Sequence, residues 1–405
     1  MNSSYDVVVV GGRVAGASTA MLLARAGLRV AVLDRGSYGS DTLSTHGLMR
    51  AGVLQLSRWG VLGDVVAAGT PAVRRVLFHY ADGDTVQVSI RPSPGVDALY
   101  APRRHVVDRA LVDAAAAAGA DVHHGVRVTG LLRADDGRVE GVRATTRNGE
   151  ELRLRADLTV GADGIASVVA DLVDAPVERE SSTSTSVLYR YHDQLDTAGY
   201  EWAYGPGAAA GMIPTNDGLT CVFVSTTPDR MRELRREGTE QAFRTLFAEA
   251  APDHVARLGD SSATGRMSGW AGRRGFVRRS WGPGWALVGD SGYFKDPVTA
   301  HGMTDALRDA ELLADAGMEA LAGIRPEEQA LRAYQERRDV LSARLFAATD
   351  RIASYDWDLG QVRRLLREVS SAMVDEVEAL EALPVLSAAA PMTRIVHADT
   401  AAARE

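Results

Sequence analysis

Four consecutive apolar residues, Val7 to Val10, run directly into Gly11-Gly12, and small residues then recur to Ser18. An unbroken apolar run predicts a strand buried on both faces. The stretch Val14 to Ala26, ended by Gly27, predicts a helix, and Leu28 to Asp34 a second buried strand. Together they make a βαβ unit of about 30 residues. Leu48, Val53, Leu56 and Val61 fall near helical spacing and predict one helix over 47–66. Alternating runs at 73–80 and 85–90 flank the turn residues Ala81 to Asp84 and predict a hairpin. A helix at 104–118, a meander turned at Asp136-Gly137 and a buried strand at 158–164 follow.

Near residue 179 the pattern changes to Ser/Thr-rich alternation. Asn216-Asp217-Gly218 predicts a hairpin turn, residues 229–250 an amphipathic helix, and 263–270 another strand. From Trp285 to Ala314 the chain returns to buried strand, loop and long helix, and from Pro326 it is helical with a charged face. The expected fold is α/β with an α+β insertion. A Rossmann-like nucleotide-binding domain comes from 1–178 and 273–325, and 179–272 forms an inserted substrate domain of β-sheet plus helix. Residues 326–405 form a C-terminal helical region.

Composition narrows the function only coarsely. The 405 residues are 46% hydrophobic and 24% charged, as in a globular protein, and the net charge of −8 disfavours nucleic-acid and anionic-membrane partners. Cys221, the sole cysteine, excludes an internal disulfide. No run approaches the roughly 20 apolar residues of a membrane span, and no signal peptide is visible, so a cytoplasmic monomer or homodimer is expected. The nine histidines show no metal-ligand spacing, and no metal is expected. Lys295 is the only lysine, which constrains any mechanism that needs one.

The first candidate chemistry is the glycine turn. Gly11, Arg13 and Gly16 stand at the three positions of GxGxxG, with Gly12 and Ala15 between them. Such a turn lets a pyrophosphate approach the backbone N–H groups and positive dipole end of the following helix. Arg13 replaces the middle glycine and adds a cation that could pair with phosphate. Asp34, followed by Arg35, ends the second strand where a carboxylate would accept hydrogen bonds from ribose hydroxyls. A dinucleotide site is expected.

Three separated motifs make the chain resemble the flavin-dependent monooxygenases of the para-hydroxybenzoate hydroxylase fold. They are the N-terminal turn with Asp34, "VGADGIASVV" at 160–169, and "WALVGDSGYFKDPVTAHGMTDALRDAELLA" at 285–314. A fourth stretch, "RRHVVDRAL" at 103–111, is similar to a family helix. The resemblance implies bound FAD held also by Arg104, Asp163 and Asp290, with Pro297, Gly302 and Met303 beside the isoalloxazine ring and Arg50 at its edge. It places His301 and His46 as proton donors or shuttles and Pro297 as a stiffener near the reactive flavin carbon. Trp202, Tyr204, Met212, Phe223 and Tyr293 would line an apolar substrate cavity.

The implied reaction inserts one oxygen atom of O2, through an FAD C4a-hydroperoxide, into an apolar aromatic or alkene-containing small molecule, as hydroxylation or epoxidation. Electrons would come from NADPH or NADH, directly or through a separate flavin reductase. A reductase of prenyl double bonds resembling geranylgeranyl reductases is the main enzymatic alternative, and a non-enzymatic flavin redox sensor the other. A halogenase of the same fold would need a lysine between flavin and substrate, whereas Lys295 sits in the flavin loop.

Overall fold

The computed structural model describes residues 2–44 and 46–384, with side chains from residue 4 onward. The last part of the expected helical region, 385–405, lies outside the described residues. The chain opens with β1 (Asn2–Val10), α1 (Val14–Arg25) and β2 (Val30–Asp34), as the apolar pattern requires. Val7 and Val9 enter one hydrophobic core and Val8 an opposite one, so β1 is covered on both faces.

The 47–66 stretch forms two helices rather than one: α2 (Arg50–Arg58) and α3 (Leu62–Ala67), with the chain turning at Gly60. The hairpin β3 (Arg75–Tyr80) and β4 (Thr85–Ser89) follows, then α4 (Arg104–Ala117). Next come β5 (Asp121–His124), β6 (Val126–Arg133), β7 (Val139–Thr146), β8 (Glu151–Gly161) and α5 (Val168–Leu172). Strands β9 (Val177–Glu180), β10 (Ser186–Asp193), β11 (Tyr200–Gly205), β12 (Ala208–Pro214) and β13 (Thr220–Thr226) occupy the middle of the chain.

The helix expected at 229–250 is likewise divided, into α6 (Pro228–Leu234) and α7 (Thr239–Ala250), because Gly238 takes φ 117°, outside any helix. Then come α8 (Val255–Gly259), β14 (Ser262–Trp270), β15 (Phe276–Arg278), β16 (Trp281–Gly282), β17 (Trp285–Leu287) and β18 (Tyr293–Phe294). Three long helices close the fold: α9 (Gly302–Leu321), α10 (Glu327–Ala353) and α11 (Leu359–Glu381).

The first sheet runs β16-β17-β8-β1-β2-β5, with the β6–β7 meander joined at β8. Its β17·β8, β8·β1, β1·β2 and β2·β5 pairs are parallel. The second sheet runs β14-β10-β13-β12-β11-β3-β4. The β3–β4 hairpin therefore belongs to the second sheet, although its sequence position is inside 1–178: β3 pairs in parallel with β11 from Tyr200↔Val76 to Tyr204↔Tyr80. A small third sheet runs β18-β15-β9.

The second sheet has two dry faces, and strand alternation assigns its side chains between them. One face carries Trp202, Tyr204, Ile213, Cys221 and Phe223 and meets Val298 and Ala300. The other carries Ala203, Met212, Val222 and Val224 and is covered by Phe243, Leu246 and Phe247 of α7. Helix α11 spans both halves of the molecule, with Leu365 and Val369 against the second sheet's aromatic face and Leu380 in the core of the first.

Candidate functional site

The three motifs meet at the carboxyl edge of the first sheet, where parallel strands end and loops begin. Gly11 has φ 105°, and a Cβ there would collide with the Ala162 carbonyl oxygen; one at Gly16 would collide with the Gly11 carbonyl oxygen. The turn thus needs both glycines. Gly289, at the start of the third motif, lies so close to α1 that its Cβ would stand 2.8 Å from the Ala15 Cβ. The second and third motifs touch through Ser291, whose Oγ accepts the Gly164 N–H at 3.0 Å and lies 3.3 Å from Asp163 Oδ1.

At one end, Asp34 accepts the Gly12 N–H on Oδ2 at 2.7 Å and the Gly36 N–H on Oδ1 at 2.6 Å. Arg13 reaches across to Asp108 on α4 at 2.9 Å, and Arg104 donates to the same carboxylate from the other side at 3.1 Å. Two guanidiniums on one carboxylate leave a net positive charge at the mouth. A pocket lies here, lined by Gly12, Arg13, Asp34, Ser40, Asp108 and His124 among others. Arg35 is solvent-exposed at its edge.

At the other end, the half-buried Asp290 carboxylate has no hydrogen-bond partner among the described residues. Burial pushes its pKa up to about 7, with nearby Asp305 adding to the effect and Arg104 and Lys295 opposing it. Gly302 opens α9 with an exposed position and no atom within 4 Å of where a Cβ would be. Met303 is buried in the core behind it. Pro297 begins a short turn whose Val298 N–H is accepted by Asp296 at 3.0 Å.

Several expected site residues are engaged in contacts within the protein. The Asp163 carboxylate is consumed by α5, accepting the Ser167 hydroxyl at 2.5 Å and the Val168 N–H at 2.6 Å. Arg50 is held by the Arg91 carbonyl and the Ser93 hydroxyl. Tyr293 packs against Phe346 of α10, away from the aromatic sheet face. Met212 alternates onto the α7 face, opposite Trp202, Tyr204 and Phe223. The His301 side chain is wholly buried, its Nε2 2.6 Å from Oε2 of Glu376 on α11. Arg308 binds the other oxygen of Glu376 at 2.8 Å and also Asp305 and Asp309. Against the cost of burial, His301 and Arg308 hold the Glu376 carboxyl below its usual range. Lys295 is buried and ion-paired with Asp305.

His46 lies against β10 of the second sheet. It is fully buried at φ 64°, and its Nε2 lies 2.6 Å from the Tyr191 hydroxyl, while Nδ1 has no partner among the described residues. Burial lowers its pKa to about 3, so the ring is neutral near pH 7. The adjoining Gly47 abuts Ala300: a Cβ there would be 3.2 Å from the Ala300 Cβ. Arg103 stacks over the Tyr191 ring at 4.4 Å and pairs with Asp41 at 2.7 Å. Tyr191, Arg103 and Asp41 escaped sequence reasoning. Arg103 stood in the quoted "RRHVVDRAL", but nothing local tied it to a tyrosine in β10.

Comparison with known proteins decides the family. The model for an FAD binding domain matches residues 4–349. The chain belongs to this FAD-binding family. Its fold is the monooxygenase type of para-hydroxybenzoate hydroxylase, and it is an FAD-dependent oxidoreductase. A flavin-dependent brominase superposes with TM-score 0.78 at 18% identity, covering 94% of this chain and 99% of that one. PqsL of Pseudomonas aeruginosa, solved with 2-aminobenzoylacetate, gives 0.71 at 23% identity, covering 92% and 100%. A digeranylgeranylglycerophospholipid reductase of Methanothrix thermoacetophila is 26% identical over 343 residues, 82% of each chain. One from Methanococcoides burtonii is 24% identical over 399 residues, 95% of this chain and 92% of its own.

The residues present fit FAD. An unpartnered, half-buried carboxylate at Asp290 suits the hydroxyl groups of a ribityl chain. The open N-terminus of the 20-residue α9 suits the electron-rich edge of a flavin ring. Among the described residues, no helix is long and apolar enough to cross a membrane.

Proposed function

We propose that this chain is a flavin-dependent monooxygenase that inserts one oxygen atom of O2 into an apolar aromatic or alkene-containing small molecule, by hydroxylation or epoxidation. One observation supports this most: the aromatic face of the second sheet packs onto the loop that leads into α9, through Val298 and Ala300. An apolar substrate on that face would lie against the flavin loop, shielded from water. Segment 179–272, completed by the β3–β4 hairpin, is the substrate side in this reading. Trp202 and Phe223, edge to face at 5.4 Å, supply the wall.

Asp290, Gly302 and Met303 would hold the flavin end of FAD. Gly11, Gly12, Ala15, Gly16 and Asp34 would hold the adenosine and pyrophosphate end, with Arg13 and Arg104 balancing the phosphate charge. Bound FAD supplies the two-electron redox chemistry and the activation of O2. The protein contributes orientation and a proton path. His46, neutral and fixed by Tyr191 through Nε2, would act as a relay, exchanging a proton at its free Nδ1 as another passes between Nε2 and the Tyr191 hydroxyl. NADPH or NADH, directly or through a separate reductase, would provide the electrons.

The second reading, reduction of a prenyl double bond, is favoured by the curated relatives, which carry the name digeranylgeranylglycerophospholipid reductase. Isotopically labelled dioxygen separates the two. With FAD-loaded protein and an electron donor, a panel of indoles, phenols and prenyl alcohols should yield a product carrying one labelled oxygen. A product gaining two hydrogens without oxygen present would establish the reductase reading instead.

A further inference from the structure

On the face of the second sheet turned away from the flavin loop, three potential metal ligands converge from distant parts of the chain. In the parallel β3·β11 pair His79 stands opposite Ala203, so Glu201, two residues earlier in β11, shares its face. His254 comes from the turn that precedes α8 and brings its ring edge-on to His79, centroids 4.3 Å apart at 68°. One nitrogen or oxygen atom from each of His79, Glu201 and His254 lies within 4.8 Å of the other two.

We propose that His79, Glu201 and His254 form a binding site for a divalent transition cation of the zinc class. Two imidazoles and a carboxylate are the donor set that borderline cations take, with water completing the shell. Magnesium and calcium prefer all-oxygen shells. The space for water is present: a cavity of about 150 Å³ is lined by His79, Thr85, Asp253 and His254 among others. The outer contacts that orient ligands are present too. Thr85 Oγ1 lies 3.1 Å from His79 Nδ1, which leaves Nε2 turned toward Glu201 at 3.2 Å. Glu201 Oε1 is fixed by the Ala198 N–H at 2.8 Å.

The half-buried His254 imidazole has no hydrogen-bond partner among the described residues, only the ring of His79. A salt-bridge network of Glu201, His79 and Arg257 accounts for the other two side chains and gives His254 nothing to do. Arg257 now holds both oxygens of Glu201, Nη2 to Oε2 at 2.6 Å and Nη1 to Oε1 at 3.3 Å, and its side chain is 34% exposed, so it can swing into solvent when a cation takes the carboxylate. The other cluster of this kind among the described residues, His301, Asp305 and Glu376, is already filled by Arg308 and Lys295. A cation at His79, Glu201 and His254 would clamp β3, β11 and the α7–α8 connection together. The ligands come from positions 79, 201 and 254, which is why no sequence spacing announces them.

The test uses the FAD-loaded, tag-free full chain, dialysed against Zn²⁺ and assayed for bound zinc and melting temperature. One Zn²⁺ per chain and a raised melting temperature are expected. His79→Ala and His254→Ala should each weaken binding about tenfold or more while retaining flavin absorbance. Failure of the parent protein to bind stoichiometric Zn²⁺, or equally tight binding in both variants, would overturn the proposal.

Discussion

Asp290 and Arg13 make contrasting claims at the scale of single residues. Asp290 offers an unpartnered carboxylate, so Asp290→Ala should raise the FAD dissociation constant about tenfold or more, equivalent to roughly 1.4 kcal/mol. Arg13 already shares Asp108 with Arg104, so Arg13→Gly should retain FAD, the remaining guanidinium still neutralising Asp108. Flavin absorbance after gel filtration checks both. The raised pKa of Asp290 adds a pH signature. The folded flavin-free protein keeps this proton up to about 7, whereas the unfolded chain loses it near 3.8. The native state therefore binds more protons across that window, and stability falls as pH rises through it. Melting temperatures of the flavin-free protein should show this decline, and Asp290→Asn should flatten it.

The proton path is tested by Tyr191→Phe, which removes the hydroxyl that fixes His46. FAD content should be unchanged while turnover falls about 10²-fold, measured as product per flavin. The two site ends differ in how much of them the sequence disclosed. The placement of Asp290, Gly302, Gly16 and Asp34 in turns at the carboxyl edge of the first sheet was legible because each occupies a fixed offset within a strand–turn–helix motif. The His46–Tyr191 contact spans 145 residues, and the His301–Glu376 contact 75, with no periodic pattern linking either pair. Sequence order put His301 at the start of α9, but could not say that a distant carboxylate draws its ring into the interior.

Secondary elements carry the next set of consequences. Helix α9 is tied down by α11 through the Glu376, His301 and Arg308 cluster, in which every side chain is buried. Removing one charge there leaves the others unpaired in a dry environment. Glu376→Gln should lower stability by about 3–5 kcal/mol, read from urea unfolding of the FAD-loaded protein. Long apolar runs made β1, β2 and β8 easy to foresee. The breaks at Gly60 and near Gly238 were not, because helical spacing continues across both and only tertiary packing decides that the chain turns. The β3–β4 hairpin was foreseen as a hairpin but not as part of the second sheet, since its partner β11 lies more than a hundred residues away.

For the whole molecule, the fold works as two sheets facing one loop. The first sheet gathers the motifs at its carboxyl edge, and the second turns an aromatic face toward residues 297–300. Helix α11 packs on both parts. Contacts such as Gly289 against Ala15 and Ser291 against Gly164 place pieces near residues 11–34, 160–169 and 285–314 around one cleft. The proposed chemistry requires that this cleft hold FAD without a covalent bond. Titration of flavin-free protein with FAD, followed by quenching of flavin fluorescence, tests it most directly. Saturation at one FAD per chain with a dissociation constant of ~1 µM or below is the expected result; protein that stays colourless and shows no saturable uptake of FAD would contradict it.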